Sequence, residues 1–149
     1  MIYPTKKREK ARKFAMQALY TWQVSGNDLA DIEKYYLADR NTEKFDLEYF
    51  KILLYSVPTH LSELDEQITK YSERDLEQLG DIEHSILRVA IYELKKSLDV
   101  PYKVVIFEAL ELANVFGTEE GRKYINAVLD KAARELRPVE ILHDRRVIS

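Results

Sequence analysis

The sequence predicts an all-α protein, and three observations support that prediction. The 149 residues include only four glycines and four prolines, well below the usual shares of about 7% and 5%. Apolar residues recur at helical spacing along most of the chain. Candidate boundaries carry residues that begin or end helices rather than strands. About seven helices in a single domain over residues 1–149 account for this pattern.

The first three helices are bounded by capping residues and loop-forming residues. Pro4-Thr5 opens the first helix, and Ser25-Gly26-Asn27 closes it. Asp28 and Asp46 stand at the N-cap positions of the second and third helices, where an aspartate side chain can accept hydrogen bonds from free amides. Pro58 falls inside the apolar pattern that follows, which predicts either a kink or a junction between two helices.

Boundary signals continue in the second half of the chain. Ser72-Glu73-Arg74-Asp75 resembles a capping box before a short turn that ends at Gly80. A further helix is expected from about Lys103 to Phe116, because Val100-Pro101 forces an extended connection before it. The final signals are the helix-ending Gly117, the N-cap Thr118 and the terminating Pro138.

The helix between Asp81 and about Leu98 is expected to lie at the centre of the fold. Its apolar side chains nearly encircle a helical wheel, and a helix that is apolar on all sides is a buried one. The apolar positions are Ile82, Ile86, Leu87, Val89, Ala90, Ile91, Tyr92 and Leu94. The other helices carry single apolar stripes, so we expect them to pack as two small helical bundles around this buried central helix.

Glu93 occupies an awkward position, because it lies on the apolar side of the central helix. A buried carboxylate without a partner is too costly to persist. The nearest free amides belong to Tyr102, Lys103 and Val104, in the first turn of the next helix. We therefore expect Glu93 to accept hydrogen bonds from that turn. The alternative is a slight rotation of the helix that leaves Glu93 in solvent.

Charge is distributed unevenly along the chain. The formal net charge is −3, yet residues 6–13 read KKREKARK, with six basic residues against one acidic residue. Residues 28–93 are the most acidic part, with 16 acidic residues against 7 basic ones. An acidic protein with one basic patch is suited to grip a short polyanion while it presents an acidic surface to a basic partner.

No catalytic, metal or cofactor site is predicted. The chain contains no cysteine, which excludes thiolate chemistry, zinc fingers and iron–sulfur clusters. His60, His84 and His143 are too far apart in sequence to form an i,i+4 metal pair. Asp81-x-x-His84 is interpreted as an N-cap followed by a surface residue, since a metal site in a bundle needs two such pairs and further carboxylates. We therefore expect neither an enzyme nor a bound cofactor.

The basic segment precedes the run FAMQALYTWQV, which superficially resembles a signal peptide. Gln17, Thr21 and Gln23 interrupt that run, and no cleavage site of small residues follows it. No segment reaches the ~18 consecutive apolar residues of a membrane span. We expect a soluble, cytoplasmic protein that makes no membrane contact, in agreement with the lack of cysteine.

The first helix has an organised polar face that spans about 80° of a helical wheel. Its members are Lys6, Lys10, Lys13, Gln17 and Tyr20. Lysines can contact phosphates, a glutamine can contact a base edge and a tyrosine ring can stack on an unpaired base, as in single-stranded RNA recognition. Lys7 enlarges the basic surface, and Arg8 and Arg12 add planar donors suited to phosphate. The alternative is a charged face that only keeps the protein in solution.

Several sequence motifs occur together in a fixed order. They are ARK at 11–13, QALYTWQ at 17–23, LRVAIYEL at 87–94, DVPYKV at 99–104, EALELA at 108–113, FG at 116–117 and YINAVLDK at 124–131. In this order and at this spacing, they resemble the NusB family of bacterial transcription antitermination factors. The resemblance covers nearly the whole chain and is weakest between Ala38 and Ser62 and after Pro138.

The resemblance implies a protein that binds the boxA element of ribosomal-operon RNA. It also implies that NusE, a small ribosomal protein, binds with it, and that the pair joins an elongating RNA polymerase complex. The implied RNA contacts are Arg8, Arg12, Gln17, Tyr20, Glu120, Lys123 and Tyr124, to which the basic segment adds Lys6, Lys7, Lys10 and Lys13. The implied NusE surface comprises Tyr71, Glu77 and Glu83. The competing interpretation is a helical protein-interaction adaptor that does not bind RNA directly.

Overall fold

Helices make up the regular structure of this protein. The computed structural model describes residues 6–148, with residues 145–148 described by their backbone alone. Over that range the chain forms eight α-helices and one short 3₁₀ helix, without a strand. The helices are α1 (Lys6–Ser25), α2 (Leu29–Ala38), α3 (Leu47–Thr59), α4 (Leu61–Tyr71), the 3₁₀ helix (Leu76–Gln78), α5 (Asp81–Lys96), α6 (Tyr102–Phe116), α7 (Glu119–Leu136) and α8 (Pro138–Ile148). The predicted all-α class is confirmed.

The central position predicted for α5 is also confirmed. Every residue from His84 to Leu94 is buried, and α5 packs against α1, α3, α4, α6 and α7. One bundle consists of α1, α2 and α3, which pack against one another, and in the other bundle α7 packs against α4 and α6. The two bundles share α5, so burial of its whole circumference joins them into one core.

Local capping explains where several helices begin or end. Gly26 follows α1 with a φ of 73°, a left-handed conformation that glycine adopts without steric cost. The Asp46 carboxylate accepts a hydrogen bond from the Tyr49 amide at 3.0 Å, and the Thr118 hydroxyl accepts one from the Gly121 amide at 2.9 Å. The predicted caps at Asp46 and Thr118 are therefore confirmed.

The other boundaries in the first half of the chain have different outcomes. Asp28 precedes α2, as predicted, but its side chain makes no capping hydrogen bond. Pro58 marks a junction rather than a kink, because α3 ends at Thr59 and α4 begins at Leu61. The predicted helix opening at Pro4-Thr5 lies outside the described residues.

Two predictions for the second half of the chain need correction. The prediction of a capping box at Ser72 is wrong. The Ser72 hydroxyl forms hydrogen bonds with the backbone of Arg74 in a local turn, and Asp75 is the residue that precedes the 3₁₀ helix. Pro138 follows the end of α7, as predicted, but it also begins α8. Proline is favoured at the first position of a helix because no amide donor is needed there.

Arg137 holds the junction between α7 and α8 against the end of α5. Its side chain is buried and donates hydrogen bonds to the carbonyls of Glu93, Leu94 and Ser97. The last carbonyls of a helix lack intrahelical donors, and a cation there also interacts favourably with the helix dipole. Glu140 of α8 accepts a hydrogen bond from Arg137 at 2.6 Å. The start of α8 is thereby fixed to the core.

One predicted surface residue lies in the interior. His84 is 7% exposed, and its Nε2 lies 2.8 Å from Asp65 Oδ1, so the prediction of a surface histidine is wrong. Asp81 is the first residue of α5, and Gly80 occupies the N-cap position. Within residues 6–148, no group of histidine, aspartate and glutamate side chains is arranged to hold a metal ion. No helix in that range has the length and apolar character needed to span a membrane.

Candidate RNA interface

The basic segment contains a deeply buried arginine. Arg12 is 3% exposed, and its Nε and Nη2 donate to the two carboxylate oxygens of Glu93, each at 2.8 Å. The Tyr49 hydroxyl donates to the same carboxylate at 2.6 Å. Bidentate, charge-assisted pairs of this kind are strong and directional. Arg12, which is predicted to contact RNA, thus has its guanidinium in the core, bound to Glu93.

Glu93 is buried, as expected, but the expected partners are wrong. Its exposure is 1%, and it binds Arg12 and Tyr49 instead of amides in the first turn of α6. The Tyr102 amide donates to Glu140 Oε2 at 2.8 Å, so a carboxylate of α8 accepts the hydrogen bond from the first turn of α6. Burial lowers the pKa of Arg12, but the Glu93 carboxylate outweighs this effect and leaves that pKa above its ordinary value.

Arg8 is also engaged within the protein. Its Nη1 donates to Asp99 Oδ2 at 3.1 Å, and its Nε lies 3.7 Å from Asp46 Oδ2. The guanidinium carbon lies 4.2 Å from the centroid of the Tyr49 ring, within range of a cation–π interaction. Arg8 therefore links α1 to α3 and to the connection before α6. RNA phosphates would compete with both aspartates for this side chain.

The lysines of the basic segment form an exposed cationic surface, here called the lysine surface. Its exposed members are Lys6, Lys7, Lys10 and Lys13, and Gln17 and Tyr20 follow them on α1 as partly buried residues. The helix dipole favours anions and disfavours cations in the first turn of a helix. Glu9 is the acidic residue in that turn of α1. This concentration of lysines opposes helix stability but suits the binding of anions such as phosphates.

A groove of about 300 Å³, the α1–α6 groove, lies beside the lysine surface. Its lining residues are Lys6, Glu9, Lys10 and Lys13 from α1 and Glu108, Glu111, Leu112, Val115 and Phe116 from α6. The Lys13 ammonium lies 6.0 Å from the centroid of the Phe116 ring. Cationic and apolar side chains together can accommodate both a phosphate and the base attached to it.

A second groove of about 290 Å³, the α4–α7 groove, lies between the end of α4 and α7. Its lining residues are Tyr71, Glu73, Arg74, Glu120, Lys123, Tyr124, Ala127, Val128 and Lys131. The Arg74 guanidinium carbon lies 5.1 Å from the centroid of the Tyr124 ring, and its Nη2 donates to Glu120 at 2.8 Å. The Ser72 and Tyr124 hydroxyls are hydrogen-bonded to each other. Arg74 thus joins the turn after α4 to α7.

The three residues predicted for the NusE surface have different surroundings. Tyr71 is mostly buried, and its hydroxyl donates to a carboxylate of α7. Burial and this carboxylate raise the pKa of the Tyr71 hydroxyl above its ordinary value. Glu77 is exposed on the 3₁₀ helix. Glu83 is partly buried, and its carboxylate lies against Gly80 and Gly121, where an added Cβ would overlap it.

The predicted RNA residues of α7 and the predicted NusE residues are neighbours. Glu120, Lys123 and Tyr124 share the α4–α7 groove with Tyr71. Phe116 lines the α1–α6 groove at the end of α6, just before α7 begins. The end of α6 therefore lines one groove, and the first turn of α7 lines the other.

The sequence and fold of this chain are similar to those of known proteins. The sequence model of the NusB family matches residues 9–134. The transcription antitermination protein NusB of Sodalis glossinidius is 51% identical over 131 residues, covering 88% of this chain and 94% of that protein. The NusB protein of Escherichia coli (strain HS) is 50% identical with the same coverage. The solved structure of T. maritima NusB has a TM-score of 0.76 and 28% identity, covering 95% of this chain and 99% of that one.

Proposed function

Since the chain belongs to the NusB family of transcription antitermination proteins, we propose that it binds boxA RNA of ribosomal-operon transcripts together with NusE. The protein is a transcription antitermination factor and not an enzyme. In this proposal the complex of protein, RNA and NusE joins RNA polymerase during elongation, which takes place in the bacterial cytoplasm.

The lysine surface is the observation that carries the RNA-binding proposal. Lys6, Lys10 and Lys13 form no ion pair with any described residue. Outside residues 6–13, six of the nine lysines lie within ion-pair distance of a carboxylate, namely Lys51, Lys70, Lys95, Lys103, Lys123 and Lys131. Cations that no carboxylate neutralises are available to phosphates, and their position at the start of α1 adds the helix dipole to their field.

Replacement of Lys6, Lys10 and Lys13 with alanine should weaken boxA RNA binding by roughly ten- to a hundredfold near 0.1 M salt. The slope of log affinity against log salt concentration should become less steep by about 2, since three phosphate contacts to a single strand are lost. These side chains are exposed, so the fold should persist. Titration of fluorescent boxA RNA at several salt concentrations measures both quantities.

Replacement of Lys34, Lys51 and Lys96 with alanine is the matched control. These three lysines are exposed on α2, α3 and α5, so the variant undergoes the same change in net charge. Its affinity and salt slope should stay close to those of the wild type. Equal losses of affinity in the two triple variants would show that RNA binding depends on net charge and not on the lysine surface. Lack of RNA binding by the wild type, with and without NusE, would favour the adaptor without RNA binding.

The acidic surface after α4 is proposed to bind NusE. Glu77→Lys should slow association with this basic protein by about three- to tenfold at low salt, because an exposed charge mainly steers the encounter. Glu83→Gln should have a smaller kinetic effect, since Glu83 is partly buried against Gly80 and Gly121. Surface plasmon resonance with immobilised NusE measures the association rates.

Glu48→Lys is the control for the NusE prediction. Glu48 is exposed on α3, away from the α4–α7 groove, so this reversal should leave the association rate with NusE nearly unchanged. RNA binding in the absence of NusE should be nearly the same for Glu77→Lys and the wild type. If Glu77→Lys abolished RNA binding and spared NusE binding, the two surfaces would have to be exchanged.

A further inference from the structure

Glu108 is a buried carboxyl group that lines the α1–α6 groove. Its side chain is 7% exposed, and it accepts no hydrogen bond from any described residue. The closest cation is Arg12, whose Nη1 lies 4.0 Å from Oε2 of Glu108, while its Nε and Nη2 are bound to Glu93. The oxygens of Glu108 are not among the fully buried, unpartnered side-chain atoms of the described residues, so the carboxyl group is open to the groove. The hydrogen-bonding capacity of Glu108 is therefore available to a ligand in the groove.

The surroundings of Glu108 allow its neutral form to be populated near neutral pH. Burial raises the pKa of this carboxyl, Arg12 on α1 lowers it, and the carboxylates of Glu9, Glu93 and Glu111 raise it again, to about 7. Those three carboxylates belong to α1, α5 and α6 respectively. A neutral carboxyl group presents an O–H donor beside a carbonyl acceptor. The Watson–Crick edge of a nucleobase presents a complementary donor and acceptor side by side.

The rest of the groove suits a flat apolar ring with an attached phosphate. Leu112, Val115 and Phe116 supply apolar surface, and the lysine surface supplies charge at the α1 side. A volume of about 300 Å³ lies at the low end of small-ligand pockets, which span ~300–1,000 Å³. At the rim formed by the lysine surface, charge favours RNA over a basic protein as the occupant, because a basic segment would meet Lys6, Lys10 and Lys13 there.

We propose that the α1–α6 groove holds one unpaired nucleobase of the bound RNA. The base points its Watson–Crick edge toward Glu108, its ring lies against Phe116, and its phosphate contacts the lysine surface. This proposal rests on the proposed RNA binding and adds a site for a base to it. Glu108 is the group that fixes the edge of the base, while stacking and phosphate contacts tolerate any sequence.

The test measures whether the effect of Glu108 on affinity depends on one particular base of boxA RNA. Each nucleotide is replaced in turn by an abasic residue, and affinity is measured with the wild type and with Glu108→Leu, in the presence of NusE. At one position, loss of the base should weaken binding to the wild type by about tenfold. The same loss should be much smaller with Glu108→Leu, because the partner of the base is already gone.

Two further variants define the origin of that coupling. Glu108→Gln should preserve it, since a carboxamide also offers a donor and an acceptor side by side. Glu48→Leu removes an exposed carboxylate on α3, outside the groove, and should leave the wild-type pattern intact. Thermal unfolding of every variant shows whether it is folded in the binding assay. If Glu108→Leu fails to fold, RNA carrying 4-thiouridine should cross-link to residues 108–116 of the wild type.

Each contrary outcome has a distinct meaning. Equal abasic profiles for the wild type and Glu108→Leu, or cross-links confined to α7, would overturn the base site and leave RNA binding in place. Coupling of Glu108 to NusE instead of to a base would assign the groove to the protein partner. Absence of wild-type binding to boxA RNA, with NusE present, would overturn the proposed function together with the base site.

Discussion

Arg12→Ala should lower the free energy of unfolding by about 3–5 kcal/mol. The substitution leaves the Glu93 carboxylate in the core at 1% exposure, with the Tyr49 hydroxyl as its remaining side-chain donor. The large loss arises because a buried charge without a counter-charge is far less stable than the same charge in the solvated unfolded chain. Urea denaturation at pH 7, followed by circular dichroism, measures the change.

Two variants test whether burial is the cause of this loss. Arg134 donates to Asp130 at 3.0 Å, and both side chains are exposed, so Arg134→Ala should cost less than about 1 kcal/mol. The double variant Arg12→Met with Glu93→Met should recover much of the stability that Arg12→Ala loses, because it removes both buried charges. If Arg12→Ala were no more destabilising than Arg134→Ala, the ion pair would contribute little to the fold.

The buried pair also determines where the candidate RNA surface lies. Arg12 joins α1 to α5, and Arg8 joins α1 to the Asp46 and Asp99 carboxylates. Arg12 is buried and Arg8 is held by carboxylates at the edge of the core, whereas the lysines of the same segment are exposed. These contacts hold α1 in place, so the α1 side of the α1–α6 groove is rigid. A binding site on a rigid element keeps its geometry in the absence of the ligand.

Helices could be predicted from the sequence because the signals that define them are local. Caps at Asp46 and Thr118 act over three residues, and the apolar circumference of α5 is visible within a single window of sequence. The signal at Pro138 predicts the end of α7 but does not by itself predict that α8 begins there. A proline that ends one helix can also occupy the first position of the next, and the sequence signal for both roles is the same.

Side-chain partners were harder to predict because they join distant parts of the chain. Arg12 and Glu93 are 81 positions apart, and a run of basic residues gives no direct sign that one of them is buried. Two clues were nevertheless present: Arg12 flanks an apolar stripe and Glu93 lies on one. Opposite charges that both conflict with apolar helix faces are candidates for a buried pair, whereas Glu93 was assigned to the next helix along the chain.

The two grooves could not be predicted from the sequence, because they form only when the helices pack together. Phe116 has a clear sequence role as the end of α6, but only the packing of the helices brings it next to Lys13. Arg74 belongs to a polar turn, and its stacking on Tyr124 depends on how that turn meets α7. Glu108 opens the segment EALELA at 108–113, and nothing in its neighbouring residues indicates a buried carboxyl group beside a groove.

The half-buried carboxylate of Asp65 on α4 binds two side chains of α5, His84 and Arg88. Its oxygens accept hydrogen bonds from His84 Nε2 at 2.8 Å and from Arg88 Nε and Nη2 at 2.9 and 2.8 Å. Arg88 Nη1 also donates a hydrogen bond to Gln23 Oε1 on α1 at 2.5 Å. One network of hydrogen bonds therefore joins α1, α4 and α5. Burial raises the pKa of Asp65, but the hydrogen bonds from Arg88 and His84 outweigh burial and lower this pKa to about 2.

Asp65→Asn should therefore lower the free energy of unfolding by about 2–4 kcal/mol at pH 7, because Arg88 loses its counter-charge. The pKa of Asp65 is lower in the folded protein than its ordinary value of 3.8, so the carboxylate stabilises the fold above that value and this contribution is lost as the pH falls toward 2. The difference between wild type and variant should shrink by about 2 kcal/mol from pH 5 to pH 2. Asp130→Asn, at an exposed aspartate–arginine pair, should have little effect at any pH in urea titrations across this range. A destabilisation by Asp65→Asn that stayed constant down to pH 2 would show that the charge of Asp65 is not the source of its contribution.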